Sequence, residues 1–252
     1  MQRKPIIAVT GDFDPSLGRY YLKKEYMEAI WLNGGIPVIL EPKLDIPKEW
    51  SGDREEWVDL VQVEEELLER IDGVLFTGGG DVDPGFYGGR ASVNNGEILP
   101  FRDAFEVKLA RICRERKIPS LGLCRGIQLM ASSMGASLIQ DIAFEEKSLV
   151  QHSQKAPTFM PTHEVRLKEG SLLYRIYGEK AWVNSFHHQA IKNAKDLPFE
   201  ITAWSLEDGI IEGFEVPGQY FVGVQWHPER MMQDPKQRAL FISFIEAASL
   251  EE

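Results

Sequence analysis

Cys124 stands at the centre of Gly122-Leu123-Cys124-Arg125-Gly126, with the apolar run Ile118-Pro119-Ser120-Leu121 before it and a helix-like stretch after it. A glycine-x-nucleophile-x-glycine pentapeptide between a strand and a helix describes a nucleophile elbow. The glycines allow a turn tight enough to lift the central side chain clear of the backbone. A helix beginning at Arg125 aims its unpaired N–H groups and the positive end of its dipole at the sulfur, which favours the thiolate. Such a sulfur attacks carbonyl carbon if a base can take its proton and an acid can orient that base. Gly223-Val224-Gln225-Trp226-His227-Pro228-Glu229 offers both, His227 as the base and Glu229 as the orienting carboxylate. Alone, His-Pro-Glu would read as a strand-end histidine paired with a turn carboxylate. The elbow in the same chain favours the catalytic reading.

Other polar clusters carry less. Adjacent histidines on a strand point to opposite faces, so His187-His188 makes a poor metal pair and ordinary sheet-edge packing competes with a binding role. Asp81 and Asp83 are better explained as turn formers than as metal ligands. Cys113 falls on the apolar face of its helix and reads as inert core.

The elements that must position these groups alternate through the first half of the chain. Ile6 to Thr10, Ile36 to Leu40, Gly73 to Thr77 and Ile118 to Leu123 read as buried strands. Glu25 to Leu32, Glu55 to Arg70 and Arg102 to Arg116 read as amphipathic helices, the first closed by Asn33-Gly34-Gly35. This order implies a parallel sheet covered on both faces, with ligands at the carboxyl ends of the strands. In the second half His163 to Leu167, Ala181 to Ser185, Ile201 to Ser205, Ile210 to Glu215 and Tyr220 to Gln225 read as strands. Asp208-Gly209 and Pro217-Gly218 are hairpin signals, so an antiparallel extension is expected, closed by a helix over Pro235 to Ala248. The expected architecture is α/β and a single domain spanning the chain. Asp141 to Pro161, which includes His152, shows little periodicity and is long enough to suggest a lid.

Composition sets outer bounds. The chain has 252 residues, enough to bury a substantial core, and 43% hydrophobic with 27% charged residues is ordinary for a soluble globular protein. Net charge is −11, from 39 acidic against 28 basic residues. With no Lys/Arg stripe to offset it, this argues against a nucleic-acid partner. No apolar run approaches the ~20 residues that span a bilayer. The N-terminal Met1-Gln2-Arg3-Lys4-Pro5 leads into too short an apolar run for a signal peptide. Two cysteines in different settings make neither a disulfide framework nor a structural zinc site, and a cytoplasmic location is the simplest expectation.

Four motifs occur in order: Gly78-Gly79-Gly80-Asp81-Val82-Asp83-Pro84, Gly122 to Gln128, Asn184-Ser185-Phe186-His187-His188-Gln189, and Gly223 to Glu229. Together, over essentially the whole chain, they resemble class I glutamine amidotransferase-like hydrolases. Asp103-Ala104-Phe105-Glu106 and Thr162-His163-Glu164-Val165 suit one branch of that group, peptidase C26, with its γ-glutamyl-γ-aminobutyrate hydrolases of putrescine degradation. The resemblance implies a flavodoxin-like three-layer sandwich, with Cys124 as nucleophile, His227 as base and then acid, and Glu229 orienting it. It places an oxyanion hole at the N–H groups of Gly80 and Arg125. It gives substrate contacts to Gln128, His188 and Gln189. It implies no metal, no organic cofactor and a small-molecule γ-glutamyl amine substrate. Met130-Ala131 stands where relatives have Met-Asn, and Gly135-Ala136 where they have Gly-Gly, both on or just after the helix that follows the elbow.

The expected reaction is hydrolysis of a γ-glutamyl amide, foremost γ-glutamyl-γ-aminobutyrate, through a thioester on Cys124. Two alternatives share the fold. One is a glutaminase subunit passing ammonia to a partner synthase, and the other is a non-catalytic sensor of a γ-glutamyl ligand. Arg19, Tyr20, Arg102 and His152 are candidates for the amine half of the pocket, each with a surface role as an equal alternative. Sequence leaves the oligomeric state open, a homodimer included.

Overall fold

The computed structural model describes residues 3–14, 18–41, 52–193 and 195–249. Met1 and Gln2, part of the N-terminal stretch read above, lie outside the described residues.

Nine strands form one sheet: β1 (Ile6–Thr10), β2 (Ile36–Leu40), β3 (Gly73–Phe76), β4 (Ser120–Leu123), β5 (His163–Leu167), β6 (Lys180–Val183), β7 (Glu200–Ser205), β8 (Ile211–Glu215) and β9 (Phe221–Val224). Their spatial order is β2-β1-β3-β4-β9-β8-β7-β5-β6. Neighbours from β2 to β9 are parallel, and from β9 to β6 antiparallel. The expected parallel sheet with an antiparallel extension is therefore the observed one, and β9 is the strand where the two halves meet.

Alternation within the buried strands decides which helices cover which face. Ala8, Val74 and Phe76 pack with α2 (Arg54–Leu60), α4 (Pro100–Glu115) and α5 (Arg125–Ser133), whose Trp57, Leu109, Cys113 and Ile127 join the same core. Ile7, Val9, Leu75 and Leu121 face the other way. They pack with Ile30 of α1 (Lys24–Leu32), Leu173 of α7 (Leu172–Tyr177) and Leu240, Phe241 and Phe244 of α8 (Pro235–Ala248). Helices on both faces give the three-layer sandwich. Among the described residues no helix is long and apolar enough to cross a membrane.

One expectation needs correcting. The helix read over Glu55 to Arg70 is two helices, α2 and the short α3 (Glu65–Leu68). The chain turns extended at Val61, with φ −72° and ψ 137°, and buries that side chain in the core. The Lys108 ammonium takes up the carbonyls of Asp59 and Val61 that a continuing helix would have used. The other departure is local order within Asp141 to Pro161, which opens with the short α6 (Ile142–Glu145) and then pairs with residues 184–187. Gln154 N donates to Ser185 O at 2.9 Å and His187 N to His152 O at 3.0 Å. Gln154 Oε1 accepts from Ser185 N and Thr162 Oγ1. Backbone pairing and the side-chain amide of a buried glutamine, not apolar periodicity, hold this segment.

Candidate active site

Three parallel strands deliver the motifs to one edge of the sheet. Phe76 is in register with Gly122, and Leu123 with Val224. Thr77 to Gly80, Cys124 and Gln225 to His227 therefore leave the sheet side by side. Cys124 has φ 54° and ψ −108°, a left-handed conformation that costs a non-glycine residue about 1–3 kcal/mol and persists only where its surroundings impose it. Its N–H donates to Val224 O at 3.0 Å. The glycine two residues on serves a different end from the one the pentapeptide suggested. A Cβ on Gly126 would lie 2.2 Å from the carbonyl oxygen of Phe76, so Gly126 lets α5 press against β3 while the strained torsion sits on the cysteine itself.

The predicted base and acid meet. His227 Nδ1 lies 2.6 Å from Glu229 Oε1, both side chains buried. Burial opposes charging His227, but the Glu229 carboxylate, and after it the Cys124 sulfur by charge and hydrogen bond, outweigh that cost and push its pKa up to about 9. The backbone of His227 is gripped from both sides. Its N–H donates to Asn184 Oδ1 at 2.8 Å, and Asn184 Nδ2 donates to His227 O at 3.0 Å. Trp226, fully buried, anchors the strand end by donating Nε1–H to Gln237 Oε1 at 3.1 Å.

Beneath the glycine segment lies an ionic network that sequence reasoning missed. Arg102, read as a pocket or surface group, is buried and donates to Thr77 Oγ1 at 3.0 Å and to Gly78 O at 3.1 Å. It also pairs with Asp12 at 2.9 Å and Glu106 at 2.8 Å. Arg125, predicted for its N–H, sends its guanidinium away from the cleft to Asp103 and Glu106. Burial pushes the Asp103 carboxyl up to about 6 in spite of Arg125. Glu106 is held low because the two arginines outweigh its burial. Buried charge is tolerated here because each acid meets an arginine. The network fixes the start of α5 relative to Gly78. The only signal in the sequence was the i, i+4 spacing of Arg102 and Glu106. Tyr26 was also missed. Its hydroxyl accepts from Gly78 N at 3.1 Å, and burial, with the charges of Glu229 and Cys124, raises its pKa well above the usual phenol range.

The cleft over Cys124 is lined by Gly79, Gly80, Arg125, Gln128, His188 and Gln189 among others, so all the predicted binding and oxyanion residues meet at one place. Gln128 Nε2 donates to Gln189 O and Gln225 Oε1, which leaves its carbonyl oxygen for a ligand. His188, half-exposed, bridges Asp81 at 2.9 Å and Asp141 at 3.3 Å, and the Asp81 hydrogen bond raises its pKa. Asp83 caps a turn through Gly85 N, as expected, and also binds Arg54. His187 turns the opposite way from His188, with Nε2 3.5 Å from Glu212.

The sequence profile of the peptidase C26 family matches residues 5–229. The chain belongs to that family. A Mycobacterium tuberculosis protein provisionally named a glutamine amidotransferase is 34% identical, over 95% of this chain and 71% of its own length. The γ-glutamyl-γ-aminobutyrate hydrolase of Escherichia coli K12 is 31% identical, over 90% of this chain and 85% of its own. Among solved structures, the Thermotoga maritima glutamine amidotransferase superimposes with a TM-score of 0.58 at 15% identity, covering 99% of this chain and all of that one. The glutaminase domain of Trypanosoma brucei CTPS, with bound acivicin, gives 0.59 at 17% identity over 98% of this chain and 95% of its own. At these identities the superpositions speak for the fold, which is that of class I glutamine amidotransferases. The family membership supports a hydrolase acting in the γ-glutamyl class.

Proposed function

We propose that this chain hydrolyses γ-glutamyl amides with Cys124 as nucleophile, His227 as proton carrier and Glu229 as its orienting acid, and that γ-glutamyl-γ-aminobutyrate is its substrate. The observation that carries this reading is Cys124 held at positive φ at the head of α5, beside the buried His227–Glu229 pair. The raised pKa of His227 makes the imidazolium the resting form at neutral pH. The sulfur of Cys124 attacks the γ-carbonyl carbon, and the oxyanion settles against the N–H groups of Gly80 and Arg125. Fixed donors of this kind are worth about 3–4 kcal/mol each. The C–N bond breaks as imidazolium gives its proton to the leaving amine. Neutral His227 then takes a proton from water, whose oxygen displaces the thioester sulfur and releases glutamate. The free carbonyl of Gln128 suits the α-ammonium of the glutamyl group. No step calls on a metal or organic cofactor. The reading is of an enzyme working on free small molecules, without nucleic acid, in a reducing cytoplasm.

The test is steady-state release of glutamate from γ-glutamyl-γ-aminobutyrate and from glutamine by the isolated chain, alongside Cys124→Ala. Turnover of the first substrate, lost in the variant while circular dichroism stays the same, is expected. Glutamine as the sole substrate, or activity surviving the substitution, would overturn the substrate or the nucleophile assignment respectively.

A further inference from the structure

Three of the five histidines in the chain gather around one carboxylate outside the catalytic set. His152, His163, His187 and Glu212 are all more than nine-tenths buried, and they come from four separate segments. Three ring nitrogens converge on Glu212 Oε1: His163 Nε2 at 3.3 Å, His152 Nδ1 at 3.4 Å and His187 Nε2 at 3.5 Å. Among the described residues neither Glu212 oxygen accepts a hydrogen bond, and His187 Nε2 and both nitrogens of His163 have no hydrogen-bond partner.

The outer contacts fix which nitrogens carry protons. His187 Nδ1 is 2.9 Å from the carbonyl of Gln189, which can only accept, so Nδ1 is the donor and Nε2 of the neutral ring faces Glu212 with a lone pair. His152 Nε2 is 2.9 Å from Asp208 Oδ2 and is therefore a donor, and its Nδ1 faces Glu212 with the Ser185 hydroxyl 3.5 Å away. The His187 lone pair thus points at a carboxylate oxygen, which is unfavourable unless something positive lies between them. A charge-assisted hydrogen bond would draw nitrogen and oxygen to about 2.7–2.9 Å, and none of the three pairs is that close. Ligand atoms of a tetrahedral zinc site with bonds of about 2.0–2.1 Å stand about 3.3 Å apart, which is the spacing seen here around Oε1. The ligand atoms of His152, His187 and Glu212 all lie within 4.8 Å of one another. The outer bonds of His152 to a carboxylate and of His187 to a carbonyl are those that orient metal-binding histidines. Glu212 and Asp208 together balance the charge of a divalent ion.

We propose that His152, His187 and Glu212 bind one divalent transition-metal ion of the zinc class in a buried three-ligand site, beside which His163 Nε2 stands 3.3 Å from Glu212 Oε1. This goes beyond the hydrolytic reading and does not rest on it. The ion would tie the segment around His152 and the strand-like stretch ahead of Gln189 to β8. That stretch carries Phe186, His188 and Gln189 into the cleft wall, so the metal would hold the wall in place without touching the reacting atoms. With every ligand buried, binding is coupled to folding.

The experiment uses the full chain carrying Cys124→Ala, which removes the sulfur at the cleft as a competing ligand. After expression in zinc-supplemented medium and gel filtration, elemental analysis is expected to find about one zinc per chain. Stripping with dipicolinate under mildly denaturing conditions should lower Tm, and re-adding zinc should restore it. Refolding with Co²⁺ should give the visible d–d absorption of a four-coordinate nitrogen–oxygen site. Glu212→Gln and His187→Asn should each lose the metal. A metal-free starting protein whose Tm does not respond to zinc would overturn the proposal, as would a folded Glu212→Gln protein that keeps its full metal content. If the variants do not fold, the stripping and restoration of the parent protein decide.

Discussion

Replacing Glu229 by Gln keeps the shape behind His227 and removes one charge. In the proposed reaction protonated His227 is the acid for the leaving amine, so kcat/KM is expected to fall as pH rises through its pKa, about 9 in the intact protein. Nδ1 and Oε1 are 2.6 Å apart, and with each charge spread over its group the effective separation is about 4 Å. At an effective dielectric constant of about 20, unit charges at that separation attract by about 4 kcal/mol, equivalent to about 3 pH units. The Cys124 sulfur still acts on the ring, so the alkaline limb should move down by about 2–3 units, towards pH 6–7. A loss of rate at the optimum should accompany it, because an unoriented imidazole is a poorer catalyst, by up to about 10⁴-fold in a comparable triad. The assay is kcat/KM for γ-glutamyl-p-nitroanilide between pH 5.5 and 10 in constant ionic strength. An alkaline limb that moves by less than half a unit would refute the argument that Glu229 sets the charge state of His227.

Two further outcomes follow from packing. Gly126→Ala would drive a Cβ into the Phe76 carbonyl, a backbone atom that cannot step aside, so it should cost upwards of about 3 kcal/mol in urea unfolding. Cys113 is fully buried and burial pushes its thiol up to about 12, so iodoacetamide at pH 8 should add to one thiol per native chain. Intact-mass measurement of the parent and of Cys124→Ala checks this, with one adduct and none expected.

Much of the site could be read from types and spacing because it depends on strand ends. A Gly-x-Cys-x-Gly turn and a strand ending in His-Pro-Glu each carry their own local geometry, and β-α alternation places both at one edge of a parallel sheet. The ionic network and the histidine cluster could not be read in that way. Arg102, Asp103, Glu106 and Arg125 become a unit only when α4 and α5 pack together, and Arg102 alone resembles any polar helix residue. His152 meets His187 because Ser153 bridges to Phe186, a pairing between irregular segments with no apolar pattern to announce it. The break between α2 and α3 was hidden for a related reason. It is set by Lys108 of another helix, whereas periodicity sees only the segment itself.

The position of β9 imposes an order of events on the molecule's assembly. It pairs with β4 on one side and β8 on the other, so β8, β7, β5 and β6 join the parallel strands only through residues 221–224. Leu123 of β4 pairs with Val224, 101 positions further on, so this contact carries a larger loop-closure cost than the local β8–β9 pairing. The same four residues bring His227 to the elbow. A chain emerging from the ribosome therefore presents Cys124 long before His227 is made, and in the proposed mechanism the sulfur gains its proton partner only when β9 joins the sheet.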